Sequence, residues 1–323
     1  MAKRLEQKLA QVAELRKGEP TPEGVKTLET LLAKEEGPVV ARVAELAAEW
    51  GLFEIQKALV AAFARLKEGG SDLDPQCWGK LALINSLQSL GWPDADVYVS
   101  GCRTVQPEPV WGGQEDSAPA LRAKSALALA ECPGVSLERA VDVFVRLLAD
   151  PAWNVRGAAA QAIAGLGYPQ AAPLLKLRVL VGDLEPRVIG VCLDGLLHLT
   201  GKDAVPFVQE VLEPPNAVSL EAICALAAAN IPEATRAAIQ SWDKFTEARS
   251  RKAIIAALAS SPTAEATEFL LGLLTGERVN ALEALSALMP KLQEPSLHGR
   301  TKKSISNNKN SKLRDELRGM LEP

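Results

Sequence analysis

Apolar positions recur at helical spacing along most of the chain, and in one stretch the spacing itself repeats. Asp150-Pro151-Ala152-Trp153-Asn154-Val155-Arg156 leads through an alanine-rich run to Leu166-Gly167 and on to Ala171-Ala172-Pro173-Leu174-Leu175. At an offset of 33 positions Asp150 falls on Asp183, Val155 on Val188, Ile163 on Leu196, Leu166 on Leu199, Ala171 on Ala204, Pro173 on Pro206 and Leu175 on Val208. A fixed period in the range of ~20–50 residues predicts stacked supersecondary units that cannot bury their apolar faces alone. In the first copy Val155, Ala158, Ala159, Ala162, Ile163 and Leu166 predict one helix. Gly167 tolerates the positive φ of a helix end. A second helix then carries Leu174, Leu175, Leu177 and Leu180, with Pro173 in its first turn, where a missing N–H costs little. The fold class expected is all-α: an α-solenoid of stacked antiparallel helix pairs.

The same patterning predicts helices over 2–17, 22–34, 38–50, 53–67 and 74–90, punctuated by Gly37-Pro38, Gly51, Gly69-Gly70 and Gly91. The first has Leu5, Leu9, Val12 and Leu15 on one face and reads as an N-terminal cap. Thr21 before Pro22 is a helix N-cap. Ile55, Leu59, Phe63 and Leu66 mark one buried stripe; Trp78, Leu81, Ile84, Leu87 and Leu90 mark the next. Repeats resume at Leu121, with Ser136 as N-cap of a helix over 136–149, and continue through 217–229, 233–242, 249–275 and 278–292. The expected organisation is a cap with degenerate repeats (1–91), an irregular insertion (92–119), repeats (120–292), and a basic polar linker with a short terminal helix (293–323).

The insertion has four prolines, three glycines and two tryptophans, with little helical periodicity. Long loops in compact arrays are commonly functional. It reads either as a folded excursion presenting Arg103, Gln106, Trp111 and Asp116 to a partner, or as padding that docks Trp92 and Trp111 on its own helices. Residues 300–318 carry seven Lys or Arg against two acids and almost no apolar positions before 312, which predicts a solvated linker or a basic tether.

Asp150-Pro151, Val155-Arg156, the alanine-rich helix, Leu166-Gly167 and Ala172-Pro173-Leu174-Leu175 resemble HEAT repeats, in their short bacterial form. The resemblance implies an Asp–Arg ladder between successive repeats, which offers a structural role for Arg122 and Arg156 beside a binding one. The second copy departs from it, with Ile189 where the first has Arg156. Because HEAT-like repeats occur in phycobilin lyases and in some DNA glycosylases, the resemblance also implies two alternatives: a lyase-like enzyme or chaperone, and a nucleic-acid-binding protein.

Composition narrows the choice. Apolar residues make up 47% of the 323 positions but aromatics only 4%, so Ala and Leu must build the core. The net charge of −4, with Asp183, Glu185, Asp194, Asp203, Glu210 and Glu213 in the clearest repeats, argues against nucleic acid. Five cysteines without a C-x-x-C spacing point to a reducing, cytoplasmic setting. No hydrophobic leader is read at the N-terminus, and no apolar run approaches the ~18 residues of a membrane span. His198 and His298 are far apart, and no phosphate loop, G-x-G-x-x-G or G-x-S-x-G occurs. No metal or cofactor is expected. The reading is a non-catalytic scaffold that holds a protein or peptide along the concave face of its second helices, with the 92–119 loop at one edge. Its expected contacts are Arg103, Gln106, Trp111, Asp116, Arg122, Trp153 and Arg156.

Overall fold

The computed structural model describes residues 2–214 and 216–321. The chain forms two compact units, one ending at Ala171 and one beginning at Ala172. The first contains α1 (Ala2–Arg16), α2 (Pro22–Lys34), α3 (Gly37–Glu49), α4 (Gln56–Leu73), α5 (Trp78–Ser89), α6 (Asp96–Cys102), a hairpin of β1 (Pro107–Val110) and β2 (Gly113–Asp116), α7 (Pro119–Glu131), α8 (Leu137–Leu147) and α9 (Trp153–Gly165). The second contains α10 (Ala172–Val181), α11 (Pro186–Thr200), α12 (Val205–Glu210), α13 (Ala217–Ala228), α14 (Pro232–Gln240), α15 (Ala248–Ser260), α16 (Ala264–Leu273), α17 (Arg278–Leu288), α18 (Pro295–Ser306) and α19 (Ser311–Leu321).

Helix boundaries follow local chemistry. The Thr21 hydroxyl accepts from the Gly24 amide ahead of Pro22, and the Ser136 hydroxyl accepts from the Arg139 amide. Asn216 and Ser219 cap α13 reciprocally, each side chain accepting from the other's backbone. Gly167 takes φ +71, and Gly70, at φ +57, kinks α4.

Each unit is a two-row stack. In the first, α1, α3, α5, α7 and α9 lie side by side, while α2 packs on α4 and α6 on α8. In the second, α11, α13, α15, α17 and α19 form one row and α12, α14, α16 and α18 the other. Small residues set the spacing of the first rows. A Cβ on Gly79 of α5 would stand 2.8 Å from the Gly37 Cα of α3, so the two backbones touch. Between the rows lie fully buried side chains such as Leu28, Leu59, Leu83 and Phe144 in the first unit, and Leu196, Ile223, Ile254 and Leu285 in the second.

The stacked-pair architecture is the one expected, and four details differ. The stripe over Ile55, Leu59, Phe63 and Leu66 is buried throughout, but in the next Trp78 is 58% exposed while Lys80 is fully buried. On α10 Leu175 is buried and Leu177 and Leu180 are exposed. The insertion is not irregular. It holds α6, whose Val97, Tyr98, Val99 and Cys102 are buried, and then the hairpin. The β-branched residues and glycine of α6 have weak helix propensity, so burial rather than local preference makes it helical. Nor is 294–312 a solvated linker: α18 buries Leu297, Thr301 and Ile305, one turn apart, and Asn308 donates to the Leu274 carbonyl at 2.7 Å. Three inward positions at helical spacing suffice to dock a helix whose other faces are polar.

Because the α3–α5 crossing is a glycine-to-glycine contact, Gly79→Ala should push the two helices apart and destabilise the first unit by about 1–3 kcal/mol. Urea unfolding followed by circular dichroism reads this directly, and Gly299→Ala, which meets open space, is the control.

Candidate functional site

The most unusual chemistry in the first unit lies where the hairpin meets the N-terminal end of α5. The turn before α5 holds Gln76 and Cys77 at φ 60 and φ 55, a left-handed pair without glycine. The Glu108 carboxylate accepts from the Gln76 amide at 2.7 Å and holds that turn. Asp74, fully buried, accepts from the amides of Gly79 at 2.7 Å and Lys80 at 3.0 Å, and so caps α5. Lys80 is fully buried too, and its ammonium lies 3.0 Å from Asp74 and donates to Gln106 Oε1 at 2.8 Å. Gln106 completes the circuit: its Nε2 donates to the Asp74 carbonyl at 2.9 Å and to Glu108 at 2.7 Å. The Ser117 hydroxyl also bonds Glu108.

A second cation continues the network. Arg122, buried in α7, donates to Asp116 at 2.6 Å and to the Thr104 carbonyl at 3.0 Å. It also holds Asp150 with both Nε and Nη2, at 2.8 and 3.0 Å. Asp116 accepts from the Gln106 and Ala118 amides, each at 3.0 Å, and Asp150 accepts from the Ala152 amide at 2.9 Å. Arg156 folds back onto the carbonyls of Asp150 and Pro151 at 2.8 and 2.9 Å. The ladder implied by the repeats is therefore present in this unit as Asp116–Arg122–Asp150. Burial alone would raise the Glu108 and Asp116 pKa values. The hydrogen bonds each carboxylate receives, with Lys80 near Glu108 and Arg122 on Asp116, hold both below the ordinary range instead.

The expected contact residues thus part company. Gln106, Asp116 and Arg122 come together, but as internal struts. Arg103 stands apart at the end of α6, with Nη2 3.5 Å from Asp142. Trp153, 45% exposed, opens α9 beside Arg156. Trp111 is at the hairpin tip and wholly exposed, at 103% of its reference area. Trp92, by contrast, is half-buried beside α6. Sequence reasoning missed Asp74, Lys80 and Glu108. The signal was a carboxylate followed six positions later by a cation, at Asp74/Lys80, Asp116/Arg122 and Asp150/Arg156.

The hairpin is an arm on this base. Its register pairs Pro107 with Asp116, Glu108 with Glu115, Pro109 with Gln114 and Val110 with Gly113. The Ser117 amide donates to the Gln106 carbonyl at 2.9 Å, extending the ladder to the network. Gly112 turns the tip at φ +92. In the same unit α4 and α6 flank a groove of about 510 Å³ in which Val60, Phe63, Val97 and Trp92 alternate with Lys67, Glu68, Asp94 and Asp96.

In the second unit Asp194 of α11 faces Glu221 of α13. Asp194 is reached by solvent, yet crowding by neighbouring atoms and then the Glu221 charge push its pKa up to about 6. Burial pushes the Cys192 and Cys224 thiols up to about 12, so both stay protonated near neutrality. Among the described residues no group of three or more His, Cys, Asp or Glu is placed to hold a metal ion, and no helix is long and apolar enough to cross a membrane.

The stacked pairs define the class: a helical-repeat protein. A family model of HEAT repeats matches residues 113–188, which include the first of the two clearest copies. Among solved structures, the complex of CpcE and CpcF of phycocyanin lyase from Nostoc sp. PCC7120 aligns at a TM-score of 0.42 and 19% identity, covering 81% of this chain and 94% of that chain. No curated protein matches the sequence.

Removing the buried ammonium leaves Asp74 without its counter-charge and Gln106 Oε1 without its donor. Lys80→Met should destabilise the first unit by about 3–5 kcal/mol, measured by urea unfolding. Since Glu108 and Asp116 have depressed pKa values when folded, the unfolded chain takes up their protons first. Their stabilisation is present above the ordinary carboxylate values of about 4 and is lost as the pH falls below them. Glu108→Gln should flatten that acid limb. Asp194 has the opposite sign. Its raised pKa favours the folded state at low pH, and that contribution is lost as the pH rises through about 6. Asp194→Asn should therefore raise the melting temperature at neutral pH and remove the titration between about 4 and 6.

Proposed function

We propose that the chain is a non-catalytic helical-repeat scaffold that binds a protein partner through the hairpin arm of its first unit, with Trp111 as the anchor. The observation that carries this reading is the exposure of Trp111 at the tip of a hairpin whose base is held by a buried hydrogen-bond network. Tryptophan in water at the end of a mobile loop would lose much of its contact energy to ordering. Here the base of the arm is already fixed by Lys80, Gln106, Glu108 and Arg122, so less of the backbone beneath the tryptophan has to be ordered on binding. Tryptophan is also the residue type most enriched among interface hot spots. Gln106, Asp116 and Arg122 serve as supports for the arm rather than as contacts.

Replacing the whole excursion would dismantle the buried network, so the test is a point change. Trp111→Ala touches no internal contact and should leave the melting temperature unchanged. It should weaken a captured partner by about 2 kcal/mol or more, roughly thirtyfold. Quantitative pull-down from native lysate with wild type and variant side by side measures the difference. Equal capture by both would remove the arm from the interface.

A further inference from the structure

The two edges of the hairpin are not equivalent. In an antiparallel ladder, directly opposed residues alternate between pairs that exchange hydrogen bonds and pairs that do not. The Ser117-to-Gln106 bond fixes which are which: 106/117, 108/115 and 110/113 are bonded pairs, while 107/116 and 109/114 direct their backbone groups outward. Both outward positions on β1 are prolines. Pro107 and Pro109 present no N–H, and that edge is sealed against a further strand. On β2 the outward positions are Gln114 and Asp116, and both keep their amides. Gln114 and Glu115 are exposed, and a Cβ added at Gly112 or Gly113 would meet nothing within 4 Å, so the outer end of β2 stands in solvent.

The charges are equally one-sided. The hairpin pairs Glu108 directly with Glu115, an arrangement that is unfavourable between neighbouring strands. Glu108 is satisfied from inside the unit by Gln76, Gln106 and Ser117. Glu115 is exposed, and none of the cations among the described residues forms a salt bridge with it. A strand laid against β2 would place its own side chain beside Glu115, and Lys or Arg there supplies the missing counter-charge. Trp111, at the tip of the same strand pair, offers its ring face to a second cation.

We propose that the β2 edge is a strand-addition site, at which an extended basic segment of the partner pairs with the backbone of Gln114 and sets a Lys or Arg against Glu115. This rests on the reading of the hairpin as the docking arm and specifies how the arm binds. Main-chain pairing supplies affinity with little dependence on sequence, and the charge beside it supplies selection.

The probe is a fluorescein-labelled peptide of alternating lysine and valine, eight residues long, titrated by anisotropy against the full chain. Wild type is expected to bind it. Gln114→Pro removes one outward N–H at a position that makes no bond within the hairpin, and mirrors the proline already present at 109. It should weaken binding about tenfold while circular dichroism and melting stay as in wild type. Gln114→Ala keeps the amide and should bind like wild type, and Glu115→Gln should lower affinity and its dependence on salt. Absence of peptide binding, or equal binding by Gln114→Pro and wild type, overturns strand addition. The two proposals separate in the pull-down. Partner capture lost with Trp111→Ala but kept with Gln114→Pro leaves the arm as the docking element and refutes the edge. Capture unchanged in both variants refutes the arm itself.

Discussion

A lysine without access to water governs the first unit. The Lys80 ammonium has to find acceptors inside the protein, because an unpaired buried charge costs several kcal/mol. Asp74 answers it from the turn before α5, but one carboxylate does not saturate three donors. The remaining acceptors are the Leu66 carbonyl of α4 and Gln106 Oε1, which comes from the segment leading into the hairpin. The charge therefore holds the excursion in one position. An apolar side chain at 80 would leave Gln106 Oε1 without its donor, and the position of residues 104–118 would rest on the remaining bonds, such as those from Gln76 and Arg122. The strained turn at Gln76 and Cys77 belongs to the same arrangement, since the Glu108 carboxylate that steadies Gln106 also holds the Gln76 amide.

Most of the helical framework was legible because it depends on periodicity, and periodicity survives in sequence. Thr21, Ser136 and Gly167 were legible for a related reason: caps and positive-φ sites demand particular residue types. What escaped was set by tertiary contact. The pattern at 78–90 admits either Trp78 or Lys80 facing inward, and hydrophobicity alone favours the tryptophan. Only the presence of Asp74 and Gln106 on the other side reverses the choice. The helix at 295–306 was hidden by its Ser, Lys and Arg content, which occupies its outer faces while Leu297, Thr301 and Ile305 turn inward.

The candidate site divides along the same line. Exposure of Trp111 was one of two readings that the sequence left open, the other docking the ring on the chain's own helices, and only the structure decides between them. The internal roles of Gln106, Asp116 and Arg122 were not readable, because a polar side chain in a loop gives no local sign of whether it meets water or a partner. The spacing of a carboxylate and a cation six positions on was the available clue. Its recurrence at 74/80, 116/122 and 150/156 marks a structural unit repeated at the head of successive first-row helices.

That recurrence shapes how this edge of the unit responds to ions. The free amides at a helix start make a natural cradle for phosphate or sulfate. At α5 the cradle is already filled from within, since Asp74 bonds Gly79 and Lys80; at α7 and α9 Asp116 and Asp150 stand just ahead of the helix, on the amides of Ala118 and Ala152. Each helix start carries its own tethered anion, and the cations beside it are neutralised in turn. An approaching phosphate meets oxygen where it would need hydrogen at α5, and a carboxylate standing ahead of the first turn at α7 and α9, so helix starts that would otherwise draw polyanions present them with like charge.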